Sequence, residues 1–222
     1  MKDLNCILAG LTHLLGPLLL LILWHKKTHA KLLPAPAALA ACFPVFILGN
    51  AIRSGFDQSS PIFFYIQQGL LFGVLEECLK FMMLRFALSD YDAREDAVTY
   101  GIGHGAYEQI LMAFTCFGLV GKGTAGAAIS AIAVLSVIES ALSVSATTMM
   151  ILYGIREGKT GKMLTAAIAF HAAGNMSMGI FIDPVANTIT VLLTTAEVYI
   201  AYRCWKAMQL PEMKSDETEQ RL

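Results

Sequence analysis

Two adjacent carboxylates, Glu76 and Glu77, interrupt the otherwise apolar run Leu70–Arg85 (LLFGVLEECLKFMMLR). An acidic side chain at mid-bilayer costs about 2.5–3.5 kcal/mol or more, so such a pair needs partners or a role. Candidate partners recur downstream. In GIGHGAYE, His104 and Glu108 are four residues apart and share one helix face; in FHAAGN, His171 and Asn175 repeat the spacing. Glu139 stands alone in a further apolar run, and Lys80 follows the acidic pair within its own helix. Carboxylates, two imidazoles and an amide in a dehydrated pocket suit hydrolysis. A carboxylate or imidazole takes a proton from water while the amide and the second imidazole stabilise an oxyanion. Two versions are open. His104, Glu108, His171 and one of Glu76 and Glu77 are a ligand set for Zn²⁺ with one position left for water. Alternatively, a glutamate pair shares a proton and activates water without a metal. The spacing is not the HExxH of common zinc proteases.

The elements that must position these groups follow from composition. Of 222 residues, 56% are hydrophobic and 15% charged, against about 25% charged in a soluble domain. Mean hydropathy is +0.59. The apolar residues fall in blocks of the length that crosses a bilayer as helix. Seven are expected, near 4–24, 35–52, 61–85, 96–120, 125–154, 162–182 and 184–206, with polar connections at 25–34 and 86–95. Pro34 and Pro36 open the second, Pro61 the third and Pro184 the seventh, where a missing N–H costs little. The block 4–24 has its basic flank after it (His25, Lys26, Lys27) and no small-residue cleavage site, which favours a retained helix over a signal peptide.

Twelve of the sixteen Lys and Arg fall on one side of this topology, three on the other (Lys2, Arg53, Lys122), and Lys80 within a helix. The bias predicts an external N-terminus and a cytoplasmic C-terminus. The reading is therefore an all-α polytopic bundle of seven transmembrane helices. It forms a single domain over 1–210 with core helices at about 61–182, followed by a disordered tail at 211–222. Small residues crowd the fourth to sixth helices: Gly101, Gly103, Gly105, then 125–128, then Ala166 to Gly174. These helices should pack most tightly, with the first two outside.

At about 1.5 Å per residue, Glu77 and His104 lie roughly 12 Å, and His171 roughly 14 Å, from the cytoplasmic ends of their helices. Glu108 and Asn175 are one turn deeper. Three helices thus bring ionisable groups to one layer. Plain structural roles are expected beside them. Lys80 neutralises Glu76 in an i,i+4 pair or snorkels, Tyr107 packs inside with its hydroxyl satisfied, and Glu139 accepts bonds from Ser136, Ser140 or Ser143. The scattered cysteines (Cys6, Cys42, Cys78, Cys116, Cys204) read as small apolar packers.

Taken together, EExxK (Glu76, Glu77, Lys80), GHGxxE (Gly103–Glu108), an isolated glutamate and HxxxN (His171, Asn175) resemble the YhfC-type intramembrane metalloproteases. These group with PrsW and the type II CAAX prenyl proteases. The resemblance covers the third to sixth helices. It implies a glutamate base, Glu76, assisted by Glu108, with His171 and Asn175 binding an oxyanion or a metal. The basic residue is Lys80, as in PrsW, rather than the arginine one position later of the CAAX enzymes, so prenylated substrates are not implied. Ser140 and Thr147 stand where relatives carry Arg and His.

The expected function is an intramembrane peptidase of bacterial plasma-membrane type. It would act on a membrane-embedded or membrane-proximal peptide, through Glu76, Glu77, Glu108, His171 and Asn175, with His104, Glu108 and His171 as Zn²⁺ ligands. The lipid bilayer and a membrane peptide or protein are its partners. A charge of -1 and the lack of a basic patch with interleaved aromatics speak against nucleic acid. The alternatives are a non-catalytic scaffold, as the same superfamily includes the seven-helix scaffold of gamma-secretase, and a proton-coupled transporter. No inverted repeat supports the last.

Overall fold

A computed structural model describes residues 2–122 and 129–208. Among these there are seven α-helices and no strand: α1 (Lys2–Thr28), α2 (Pro34–Arg53), α3 (Pro61–Met82), α4 (Arg94–Gly118), α5 (Ile129–Arg156), α6 (Thr160–Ile180) and α7 (Asp183–Ala207). Prolines stand in the first two positions of α2, α3 and α7, as their fixed φ favours. Ser60 accepts the Phe63 N–H at the start of α3. One π-helical turn, Met83–Ala87, extends α3, closed by Leu88 N–H to Met83 O at 2.7 Å. The tail and the small-residue run at 125–128 lie outside the described residues.

Four helices, α1, α2, α5 and α7, are long and apolar enough to cross a membrane. Large apolar side chains face outward on all four, among them Leu19, Ile47, Leu135 and Leu192. In water that surface would be a liability; in a bilayer it is solvated. The chain is an integral membrane protein. The remaining three helices, α3, α4 and α6, are of similar length and carry Glu76, Glu77, Lys80, His104, Glu108 and His171.

Close helix approach is set by glycines. On α4, a methyl on Gly103 would run into the Ala35 backbone of α2, and one on Gly101 into the Ser145 backbone of α5. Gly101 and Gly103 thus let α4 sit tightly between α2 and α5, leaving His104 to face α3. On α3, Gly69 and Gly73 form a GxxxG against Ala172 and Met176 of α6. Glu77 lies one turn beyond Gly73, and His171 adjoins Ala172, so this approach delivers the two to each other.

Two packing expectations need correction. The first two helices are not outliers. α1 packs on α4 and α5, and α2 on α4 and α3, with His13 of α1 bonded to Gln109 of α4 at 2.6 Å. Nor is α6 as enclosed as α4 and α5, since only Ala167, Ala172 and Ser177 of it are buried. Its main partner is α3. The GxxxG of α3, rather than the alanines of α6 alone, sets that contact.

Gly103→Ala should lower the midpoint of thermal unfolding in detergent, at a cost of about 1–3 kcal/mol typical of overpacking. Gly174→Ala, where an added methyl meets nothing within 4 Å, should leave it unchanged or slightly raised; equal effects would contradict the packing.

Candidate active site in the polar layer of three helices

The most completely buried charges come first. Glu77 and Lys80 have no exposed side-chain surface and pair at 2.6 Å across one helix turn. Lys80 also donates to Thr147 Oγ1 of α5 at 2.9 Å. Thr147 donates its own hydroxyl to Val144 O at 3.2 Å. From α6, His171 Nδ1 meets the same oxygen, Glu77 Oε1, at 2.6 Å. A buried ion pair survives desolvation only when its remaining bonding capacity is met, and Thr147 and His171 supply that. The expected Lys80–Glu76 pair is therefore not formed. Its i,i+3 neighbour Glu77 takes the ammonium.

Glu76 is left free to face the other helices. It keeps 17% of its side-chain surface, with Oε2 3.2 Å from His104 Nε2 and 3.4 Å from His171 Nε2. Glu108 accepts from Ser140 of α5 at 3.0 Å. Ligand atoms of Glu76, Glu108 and His171 all lie within 4.8 Å of one another. Side chains from α3, α4 and α6 thus converge, as the layer argument expects. Asn175 is one turn from His171 on α6, half-buried, and its side chain forms no hydrogen bond among the described residues.

Charge and proton count decide what this convergence can hold. If Nδ1 of His171 donates to Glu77, its Nε2 presents a lone pair toward the Glu76 oxygens, so acceptors face acceptors. Three carboxylates against one ammonium leave two negative charges with both imidazoles neutral. Two protons or one divalent cation would balance them. Two carboxylates and an imidazole are a donor set for Zn²⁺, three protein ligands with room for water. The chemistry of the residues fits a metal. Of the expected set, Glu108, His171 and one of the helix-three pair, Glu76, come together, whereas His104 points Nε2 at the Glu76 carboxylate from behind. Imidazoles commonly orient ligand carboxylates in this way.

Further polar atoms border the cluster without a protein partner: Glu77 Oε2, His104 Nδ1 and the hydroxyls of Tyr100 and Tyr107. Tyr107 is pinned edge-on between Phe43 and Phe46 and lies within electrostatic reach of Glu76 and Glu108. It packs inside as expected, but its hydroxyl is not satisfied by the protein.

Glu139 is not held by its neighbouring serines. Thr194 of α7 donates to it at 2.9 Å, Ser140 is turned to Glu108, and Ser143 donates to Glu197 of α7 at 2.6 Å. Glu197, 2% exposed, escaped the sequence reading. It is an acid within an apolar run, the same signal that singles out Glu76.

Fold and site together define the class, an integral membrane protein with a buried carboxylate–imidazole centre built from three helices. The family described as YhfC intramembrane metalloprotease matches residues 35–121, from α2 through α4, which include Glu76, Glu77, His104 and Glu108. A curated relative, the "Uncharacterized membrane protein YhfC" of Bacillus subtilis (strain 168), is 28% identical over 105 residues, 41% of this chain. The aligned stretch spans 40% of that relative's length. No solved structure matches.

Lys80→Met leaves Glu77 buried without its cation and should destabilise the protein by about 3–5 kcal/mol, read by thermal unfolding in detergent. The companion Glu77→Gln/Lys80→Met should recover most of that loss; no recovery would mean that the pair does not govern stability.

Proposed function

We propose that the chain is an intramembrane peptidase that hydrolyses a membrane-embedded or membrane-proximal peptide. The observation that carries this reading is the meeting of Glu76, Glu108 and His171 within 4.8 Å from three separate helices. The match to a metalloprotease family over two of those helices supports it. In this reading all seven helices cross a bacterial-type plasma membrane, with the N-terminus outside and the site in the cytoplasmic half.

The residues divide the work by exposure and contact. Glu76 is the proton acceptor. Its Oε2 is bonded to His104 and faces His171 Nε2, and Oε1, which no donor holds among the described residues, takes a proton from water. Glu77 and Lys80 are too enclosed to touch substrate. They fix the His171 ring by its Nδ1, as carboxylates do for catalytic and ligating histidines. Glu76 then gives that proton to the leaving amine, assisted by Glu108, which Ser140 steadies. Asn175, with its amide uncommitted and one turn from His171, stabilises the oxyanion. Tyr107, next to Glu108, offers a hydroxyl to water or substrate. In the metal-bound version Glu76, Glu108 and His171 would instead hold a Zn²⁺ ion, which when bound supplies Lewis acidity and a more acidic water.

Glu76→Gln should reduce cleavage at least about a hundredfold, within the 10²–10⁴ range of a general base, with the folded protein kept in the membrane. Peptide products in membranes of cells expressing wild type or variant, compared by mass spectrometry, provide the readout; products that persist in the variant would refute the assignment. Metal analysis of the detergent-purified chain tests the ligand set separately. One Zn²⁺ per chain should be lost in Glu108→Gln and His171→Ala, whereas His104→Ala should retain binding weakened about 10–100-fold. Metal content unaffected by the first two would remove Zn²⁺ from the account.

A further inference from the structure

A cavity lies away from the carboxylates. It has a volume of about 620 Å³ and is walled by α1, α4, α5 and α7. Its cause is visible in the packing. α1 and α7 both rest on α5 but scarcely touch each other, and the floor between them is built from small side chains, Ala141, Ser145 and Ala201. At one end the gap is bridged by Trp24 and Trp205, edge to face at 6.3 Å. Trp24 is fixed by a bond from its indole N–H to Glu95 O at 3.1 Å, and the Arg94 guanidinium stacks on Trp205 at 4.4 Å. Lys27 lines the groove at the same end, exposed and in no ion pair among the described residues.

Apolar length, indoles and a cation in that order match one molecule, a lipid with its chain inward and its headgroup outward. Indole rings mark the headgroup level of membrane proteins, and basic side chains beside a spanning helix attract anionic headgroups. The lining on α5 runs from Ala141 to Met149, about 12 Å of helix, and the volume is within the range of a small-molecule site.

We propose that this groove is a binding site for one anionic phospholipid, with an acyl chain along Ala141 and Ser145 and its phosphate against Lys27. It is separate from the peptidase centre and does not depend on that assignment.

Native mass spectrometry of the full chain in detergent, titrated with phosphatidylglycerol or phosphatidylcholine of matched chains, tests it. The expected result is one phosphatidylglycerol per chain, favoured at least threefold. The preference should vanish in Lys27→Gln, an exposed position where folding is not at stake, and occupancy by either lipid should fall in Ala141→Phe. Equal binding of the two lipids, or a preference unchanged in both variants, would overturn the proposal. So would a lipid-free dimer that Ala141→Phe converts to monomer, which would give the groove to a second copy.

Discussion

Everything in the polar layer depends on a carboxylate with no access to solvent. Glu77 cannot sit between apolar helices as a bare anion, and the chain answers with an ammonium on the next turn and an imidazole from α6, both on one oxygen. Such a cluster gains little net stability, because desolvation offsets most of the Coulomb attraction. It does fix geometry: Lys80 ties α3 to α5 through Thr147, and His171 ties α3 to α6. With three helices locked this way, Glu76 faces His104 and Glu108.

The helices divide into two kinds. α1, α2, α5 and α7 face lipid with large apolar side chains and meet the interior through small ones. α3, α4 and α6 tolerate ionisable residues because their glycines bring partners within bonding distance. Gly101 and Gly103 set α4 against two neighbours at once, and Gly73 brings Ala172, and so His171, to the turn before Glu77. A second link joins α5 to α7, where Thr194 and Ser143 each give a hydroxyl to an acid on the other helix. Hydroxyl donors serve these two acids among the described residues, whereas the central cluster adds an ammonium and two imidazoles.

Most of this is legible in the sequence. Apolar blocks of spanning length and prolines at helix starts mark the seven helices to within a few residues at most ends. Counting residues from those ends is enough to put Glu77, His104 and His171 at one depth. Depth does not specify azimuth, and there the reading falls short. Whether Lys80 turns to Glu76 or Glu77 depends on which side α5 and α6 lie, which no local pattern reveals. The serines near Glu139 look like its partners along the chain, yet α4 and α7 claim two of them. Glu197 and the GxxxG of Gly69 and Gly73 were readable signals of the same kinds used elsewhere. His104 as a ligand was a reasonable inference from residue type. Only the crossing of α3 and α4 shows that it stands behind Glu76.

The direct contact between α3 and α6 is the statement on which site and mechanism both rest, and a double-mutant cycle on Glu77 and His171 measures it. Thermal unfolding in detergent of Glu77→Gln, His171→Asn and the double variant should give a coupling of about 0.5–3 kcal/mol, the range for residues in one hydrogen-bonded network. Strictly additive losses would mean that the two side chains do not meet, and the centre described here would not exist.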